Sequence, residues 1–234
     1  MVSGFPVQII RKDIKNLHLG VYPPLGRVRV AAPLSVSDTA IRLAVIHKLG
    51  WIKRQQKQFA AQPRQSEREM VSGETHYFQG RPYRLQVAES ILGPDVKIKN
   101  RSTVLLRASS MFSTAQREQV LSLWYRDQLK SIIPKLLLKW EPILGVEAAE
   151  WGIKKMKTKW GSCNSRARRI WLNLELAKKP VKCLEYLVVH ELVHLIERNH
   201  NDRFISIMDK NMPKWRFYRK ELNAAPLSHE TWQY

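Results

Sequence analysis

The chain contains the pentapeptide His190-Glu191-Leu192-Val193-His194, and no other feature limits so tightly what it can fold into. On an α-helix, residues i and i+4 stand on one face, a turn apart. The surrounding segment CLEYLVVHELVHLIER must therefore be helical for the two imidazoles to converge. In that geometry both can bind one Zn2+ at about 2.0–2.1 Å. Glu191, next to the first imidazole, can reach a metal-bound water without ligating the metal. The metal lowers the pKa of that water towards ~7, and the carboxylate accepts its proton. Leu184, Leu187, Val188, Leu192 and Leu195 bury the flanks of a helix expected from about Val181, after Pro180, to Arg198. Two core histidines on an amphipathic helix are the plainer explanation of the same pattern.

A mononuclear catalytic site needs a third protein ligand and an open position. Two residues compete for the role. Glu197 lies three residues after His194, on nearly the same face. His200, the preferred ligand, lies six residues after it, so the helix must end first. Arg198-Asn199 permits that, because Asn tolerates the left-handed cap conformation, and Asn201 or Asp202 can cap the next helix. Asp202, Glu185 and Asp209 are candidates to orient the histidines. Tyr218, Arg216 and Arg219 are candidates to stabilise transition-state charge. Cys163 and Cys183 are read as packed thiols rather than ligands. His18, His47, His76 and His229 have no partner at ligand spacing and are read as ordinary.

Ahead of the motif, VQIIRKD, NLHLGVYPP and GRVRVAAP are short β-branched runs bounded by Pro, Gly and Asn, and are expected to be strands. One helix is expected from Thr39 to about Ala61, with Gly50 as an objection, followed by a polar loop from Gln62 to Arg68. Strands return at His76–Gln79, Tyr83–Val87 and Val104–Arg107. A helix capped by Ser113 or Thr114 follows, with Pro134 as a point of kinking or restart. Two strands should flank a loop at Ser162–Arg168, and helices should follow Asn201 and Pro213. The fold class is therefore α+β. A β-rich unit with one helix is expected over residues 1–110, and a helical, zincin-like catalytic domain with a small strand pair over 111–234.

Charge comes next. Lys plus Arg number 40 against 20 acids, for a formal net charge of +20, while 44% hydrophobic residues suffice for a packed core. Nine basic residues and one acid fall between 151 and 180: Lys154, Lys155, Lys157, Lys159, Arg166, Arg168, Arg169, Lys178 and Lys179 against Glu175. This stretch is a candidate platform for DNA, RNA or a nucleotide polyanion, with Trp160 and Trp171 available to stack on bases. Two cysteines exclude a disulfide-rich scaffold. The start lacks an apolar signal region and no uninterrupted run approaches the ~18 apolar residues of a membrane span, so a cytoplasmic protein without a membrane partner is expected.

Trp160-Gly161-Ser162-Cys163, Leu172-Asn173-Leu174, Pro180 and VVHELVHLIERNHNDRF together resemble the YgjP-like metallopeptidase family. That family is similar to the SprT-like and WLM-type zinc proteases. The resemblance implies His190, His194 and His200 as ligands of one zinc ion and Glu191 as general base. It implies a zinc metallohydrolase, a metallopeptidase acting on protein or peptide, with nucleic-acid-associated proteins as a candidate substrate. The WGSC strand offers an edge on which an extended peptide can pair. Two alternatives remain at this point. One is a metal-dependent nucleoside triphosphate phosphohydrolase or pyrophosphatase. The other is a basic nucleic-acid-binding protein with structural zinc.

Overall fold

A computed structural model of the chain describes residues 4, 6–22, 26–61, 68–156 and 159–224, without the side chains of 58–61 and 224. Lys157, His229 and residues 62–67 of the expected loop lie outside the described residues. The fold is α+β, sheet-rich towards the N-terminus and helical towards the C-terminus. Among the described residues, no helix is long and apolar enough to cross a membrane.

The first compact unit ends at Gln65. Its three strands are β1 (Val7–Lys12), β2 (His18–Tyr22) and β3 (Arg27–Pro33). The central β3 pairs parallel with β1 and antiparallel with β2. Val28, Val30 and Ala32 of β3 point inward, at every second residue, and meet Ile41, Val45 and Ile52. Two helices, not one, supply those partners: α1 (Asp38–His47) and α2 (Leu49–Ala61). The break falls at Lys48, whose φ of −101° and ψ of 6° leave the helical region. The apolar positions on either side keep helical spacing, so periodicity alone does not register the interruption.

The second unit begins at Ser66. A four-stranded sheet, in the order β4-β5-β7-β6, is built from β4 (Thr75–Phe78), β5 (Arg81–Glu89), β6 (Asp95–Asn100) and β7 (Thr103–Ala108). The long helix α3 (Thr114–Leu144) opens on a capping box between Ser113 and Gln116, as its sequence predicts. It passes through Pro134 without stopping. Pro134 and Lys130 are both exposed, so water can reach the Lys130 carbonyl that proline leaves without an amide. Leu121, Tyr125, Leu129, Ile133, Leu137 and Trp140 form the buried stripe of α3. A three-stranded sheet follows, where a pair was expected, from β8 (Glu150–Lys154), β9 (Gly161–Asn164) and β10 (Arg169–Asn173). A 3-10 turn at Leu174–Lys178 leads into α4 (Val181–Val193), α5 (Asp202–Asn211) and α6 (Trp215–Ala224).

The break between units thus lies at residue 65, not 110. Residues 70–108 share one core with the helices that follow, in which Phe78, Leu85 and Leu106 join Tyr125, Leu129 and Leu184. The Tyr125 hydroxyl donates to the Tyr77 carbonyl at 2.8 Å, and Gln79 and Gly80 donate to the carbonyls of Ala177 and Lys178. Leu129 is 1% exposed at the middle of this core. Leu129→Ala should cost about 2–5 kcal/mol, read as a fall in the denaturant midpoint of the transition that includes the C-terminal helices.

Candidate metal centre

Helix α4 delivers the first half of the centre. Ten of its 13 residues are buried, so its rotation about its own axis is fixed. Glu185 fixes it further. Its carboxylate, 4% exposed, accepts from Lys139, Trp140 and Lys182 at 2.6, 3.1 and 2.9 Å, tying α4 to α3. These bonds, aided by the Lys182 charge, hold its pKa below the ordinary carboxylate range against the opposing effect of burial. Glu185 is therefore engaged away from the histidines it was a candidate to orient.

The helix ends at Val193, a turn and a half before the expected stop, and His194 caps it. The amides of Leu195 and Ile196 bond three residues back, to Leu192 and Val193, which tightens the chain into a turn. Glu197 organises that turn. Its carboxylate accepts from the Asn199 amide, and its backbone carbonyl lies 3.1 Å from His194 Nδ1. The carbonyl, not a carboxylate, thereby orients His194 and leaves Nε2 free for a ligand. The Asn201 side chain then caps α5 through the Phe204 amide, as anticipated. Of the other two orienting candidates, Asp202 is exposed in the first turn of α5, and Asp209 accepts from Trp215 and Arg216.

The turn returns His200 to the helix. Its Nε2 lies 3.1 Å from His190 Nε2. Ligand nitrogens of His190, His194 and His200 all fall within 4.8 Å of one another, a cluster that could hold a metal ion. Burial lowers the pKa of His190 to about 3, with His194 and His200 adding to the effect. Burial also lowers His194 and His200. All three rings are thus held neutral, the form that ligates a metal. His190 Nδ1 is buried with no hydrogen-bond partner among the described residues.

Phe204 lies beneath all three imidazoles, with ring centroids at 5.0, 4.8 and 4.7 Å. It is 1% exposed and walls the cluster off from water on that side. Sequence reasoning missed it. Its only signal is its place three residues after the Asn201 cap, which puts the ring one turn into α5 beneath His200.

Glu191 faces β9 and the cleft that the three histidines also line. Burial raises its pKa to about 8, which Lys159 partly opposes. It lies against Gly161 of β9, where an added Cβ would stand 2.5 Å from Oε1. Only glycine leaves that space. A cleft of about 650 Å³ opens here, lined by Lys159, Gly161–Ser165, His190, Glu191, His194, Arg198 and His200. Asn173, fully buried, ties down the approach to β9. Its amide donates to the carbonyls of Met156 and Lys159 at 2.8 Å each.

The family model for the YgjP-like metallopeptidase domain matches residues 15–225. The chain belongs to that family. Among solved structures, it is similar to a metallopeptidase zymogen, abylysin of Pyrococcus abyssi. Sequence identity is 20% and the TM-score 0.36, over 38% of this chain and 90% of that one. No curated protein matches it. Membership of the family makes the chain a metallopeptidase-type hydrolase and implies a metal ion, for which the His triad is a fitting donor set.

Arg216, Tyr218 and Arg219 are not among the residues that line the cleft. Arg216 pairs with Asp209 and lies over the Trp215 ring, and Tyr218 packs against the core. Arg219 is the one of these three whose charge is felt at both His190 and His200. Cys163 lines the cleft, but burial and Glu191 raise its thiol pKa to about 11. Cys183 is fully buried against α6, its sulfur 3.4 Å from Glu221.

The basic run at 151–180 is largely engaged inside its own unit. Lys155, Arg169 and Lys178 pair with Glu118, Glu150 and Glu175. Arg168 donates to the Glu147 carbonyl, and Lys154 and Lys179 lie over Trp171 and Trp160. Lys154 thus covers the face on which Trp171 was to stack.

Gly161→Ala should leave bound metal unchanged while reducing peptidase turnover on the order of a hundredfold, because the methyl displaces the Glu191 carboxylate by about 1 Å. Metal content and turnover on one preparation check this.

Proposed function

We propose that the chain is a zinc-dependent metallopeptidase in which His190, His194 and His200 hold the zinc ion and Glu191 is the general base. One juxtaposition carries the reading: three converging neutral imidazoles and a buried carboxylate share the cleft that β9 borders. Bound there, a zinc ion would polarise water and the scissile carbonyl. Glu191 takes the proton from the attacking water and passes it to the leaving amine. The apolar surroundings that raise its pKa favour the protonated state it needs for the second step. A divalent cation held by the imidazoles would act in the opposite direction, favouring the carboxylate for the first.

The substrate lies along β9 as an added strand. The sheet runs in the order β8-β10-β9, so β9 is an edge. The Asn173 amide donates to the Trp160 carbonyl, and Ser162 is opposite Trp171 two residues on. Hydrogen-bonded pairs alternate along an antiparallel ladder. Gly161 and Cys163 therefore turn their backbone N–H and C=O groups to the open edge. Main-chain pairing there takes peptides with little regard to sequence.

Glu197, the rival third ligand, is occupied in shaping the turn. Nucleotide phosphohydrolysis draws less support, because Glu191 is the one carboxylate in the lining of the cleft and the His triad is the one metal-suited cluster among the described residues.

Glu191→Gln should keep zinc at wild-type stoichiometry and lose at least about a thousandfold in cleavage of an unfolded protein such as casein. Unchanged cleavage would refute the general-base role. His200→Ala should weaken zinc at least about tenfold more than Glu197→Ala in a chelator competition. The reverse order would make Glu197 the ligand.

A further inference from the structure

A second basic stretch lies in the first unit. Residues 7–61 contain ten basic side chains and two acids, and one of the acids, Asp38, is paired with Arg11. Less than a quarter of the chain thus holds +8 of its +20.

The three-stranded sheet of this unit has two different faces. Val28, Val30 and Ala32 pack with Leu19 and Val21 against α1 and α2. Strand side chains alternate, so Arg27 and Arg29 of β3, His18 and Tyr22 of β2, and Gln8 and Lys12 of β1 share the other face. Gln8, Lys12, His18 and Arg27 are exposed on it, and Ile10, Tyr22 and Arg29 are half-buried. The register sets Tyr22 opposite Arg27, and Gly20 opposite Arg29. The Tyr22 ring lies across Gly20, where an added Cβ would come within 2.7 Å of Cε2. An aromatic ring is therefore laid down on the sheet with arginines on the neighbouring central strand. Neither acid of residues 7–61 occupies a strand position.

We propose that this face binds single-stranded nucleic acid, with Arg27, Arg29 and Lys12 contacting phosphates and Tyr22 stacking on a base. Charge complementarity selects a polyanion, and the flat ring beside the arginines selects one whose units carry a planar π-face. A lipid surface would offer the charge without anything to stack on. The site is independent of the peptidase reading.

The test uses the full-length chain with fluorescein-labelled 20-nucleotide DNA and RNA, followed by anisotropy from about 50 to 200 mM salt. Vesicles of phosphatidylcholine with phosphatidylserine form a second arm. Single strands should bind with an affinity that falls steeply with salt. R27A/R29A should lose about tenfold or more and flatten the log–log salt slope by about 1.4, at roughly 0.7 per phosphate contact. Tyr22→Leu should lose at least about fivefold with the slope unchanged, the signature of lost stacking rather than lost charge. R166A/R168A, in the other basic stretch, should bind like wild type. Melting curves and metal content verify the fold of each variant. If R27A/R29A fails to fold, Lys12→Gln with Arg27→Gln, both at exposed positions, replaces it with the same expected slope change. Absence of binding at 50 mM salt overturns the proposal. So does affinity undiminished in R27A/R29A, loss of binding in R166A/R168A, or binding to vesicles alone. The DNA and RNA arms decide which strand is preferred.

Discussion

The burial of α4 is the constraint on which the rest of the centre depends. A helix packed on nearly every side cannot rotate or slide without opening voids in a close-packed interior. Its last turn, with His194 as the cap, therefore presents His190, Glu191 and His194 to one cleft. Everything else adjusts to it. Glu185 fastens α4 to α3, Gly161 yields space to Glu191, and Phe204 closes the underside of the imidazoles. The centre stands at the end of a rigid rod, and its reactive groups inherit that rigidity.

The same arrangement explains the electrostatics. Burial acts on both kinds of group and penalises the charged form of each. It holds the imidazoles neutral, ready to donate a lone pair, and holds Glu191 near the point where it can give or take a proton. One physical cause thus acts in opposite directions on three imidazoles that could hold a metal and on the carboxylate that shares their cleft. Membership of the YgjP-like family agrees with a site whose parts serve peptide hydrolysis.

Local chemistry was readable from the sequence where it is short-ranged. The spacing in HExxH, the Asn201 cap, the Ser113–Gln116 box and the β-branched runs each act over a few residues, and each led to the right element. The sequence reading fell short where distant segments decide. The helix break at Lys48 and the early end of α4 depend on packing that periodicity does not register. β6 and β8 hold their places through pairing with β7 and β10. The division near residue 110 failed because Phe78 and Tyr125 share a core across it. Phe204 and Gly161 escaped notice because a phenylalanine on α5 and a glycine in a strand reveal their roles only when folded beside α4. The charged run at 151–180 looked like a platform because its partners, Glu118 and Glu150, lie outside the run.

The central claim is that three imidazoles, and no sulfur, hold the metal. X-ray absorption at the zinc K-edge of the zinc-loaded protein tests it most directly. The account predicts a shell of nitrogen or oxygen at about 2.0–2.1 Å with the multiple scattering of three imidazoles, falling to two in His200→Ala. A sulfur shell at about 2.3 Å would place Cys163 on the metal, and only two imidazoles in the wild-type protein would remove His200 from it. Either result would contradict the account.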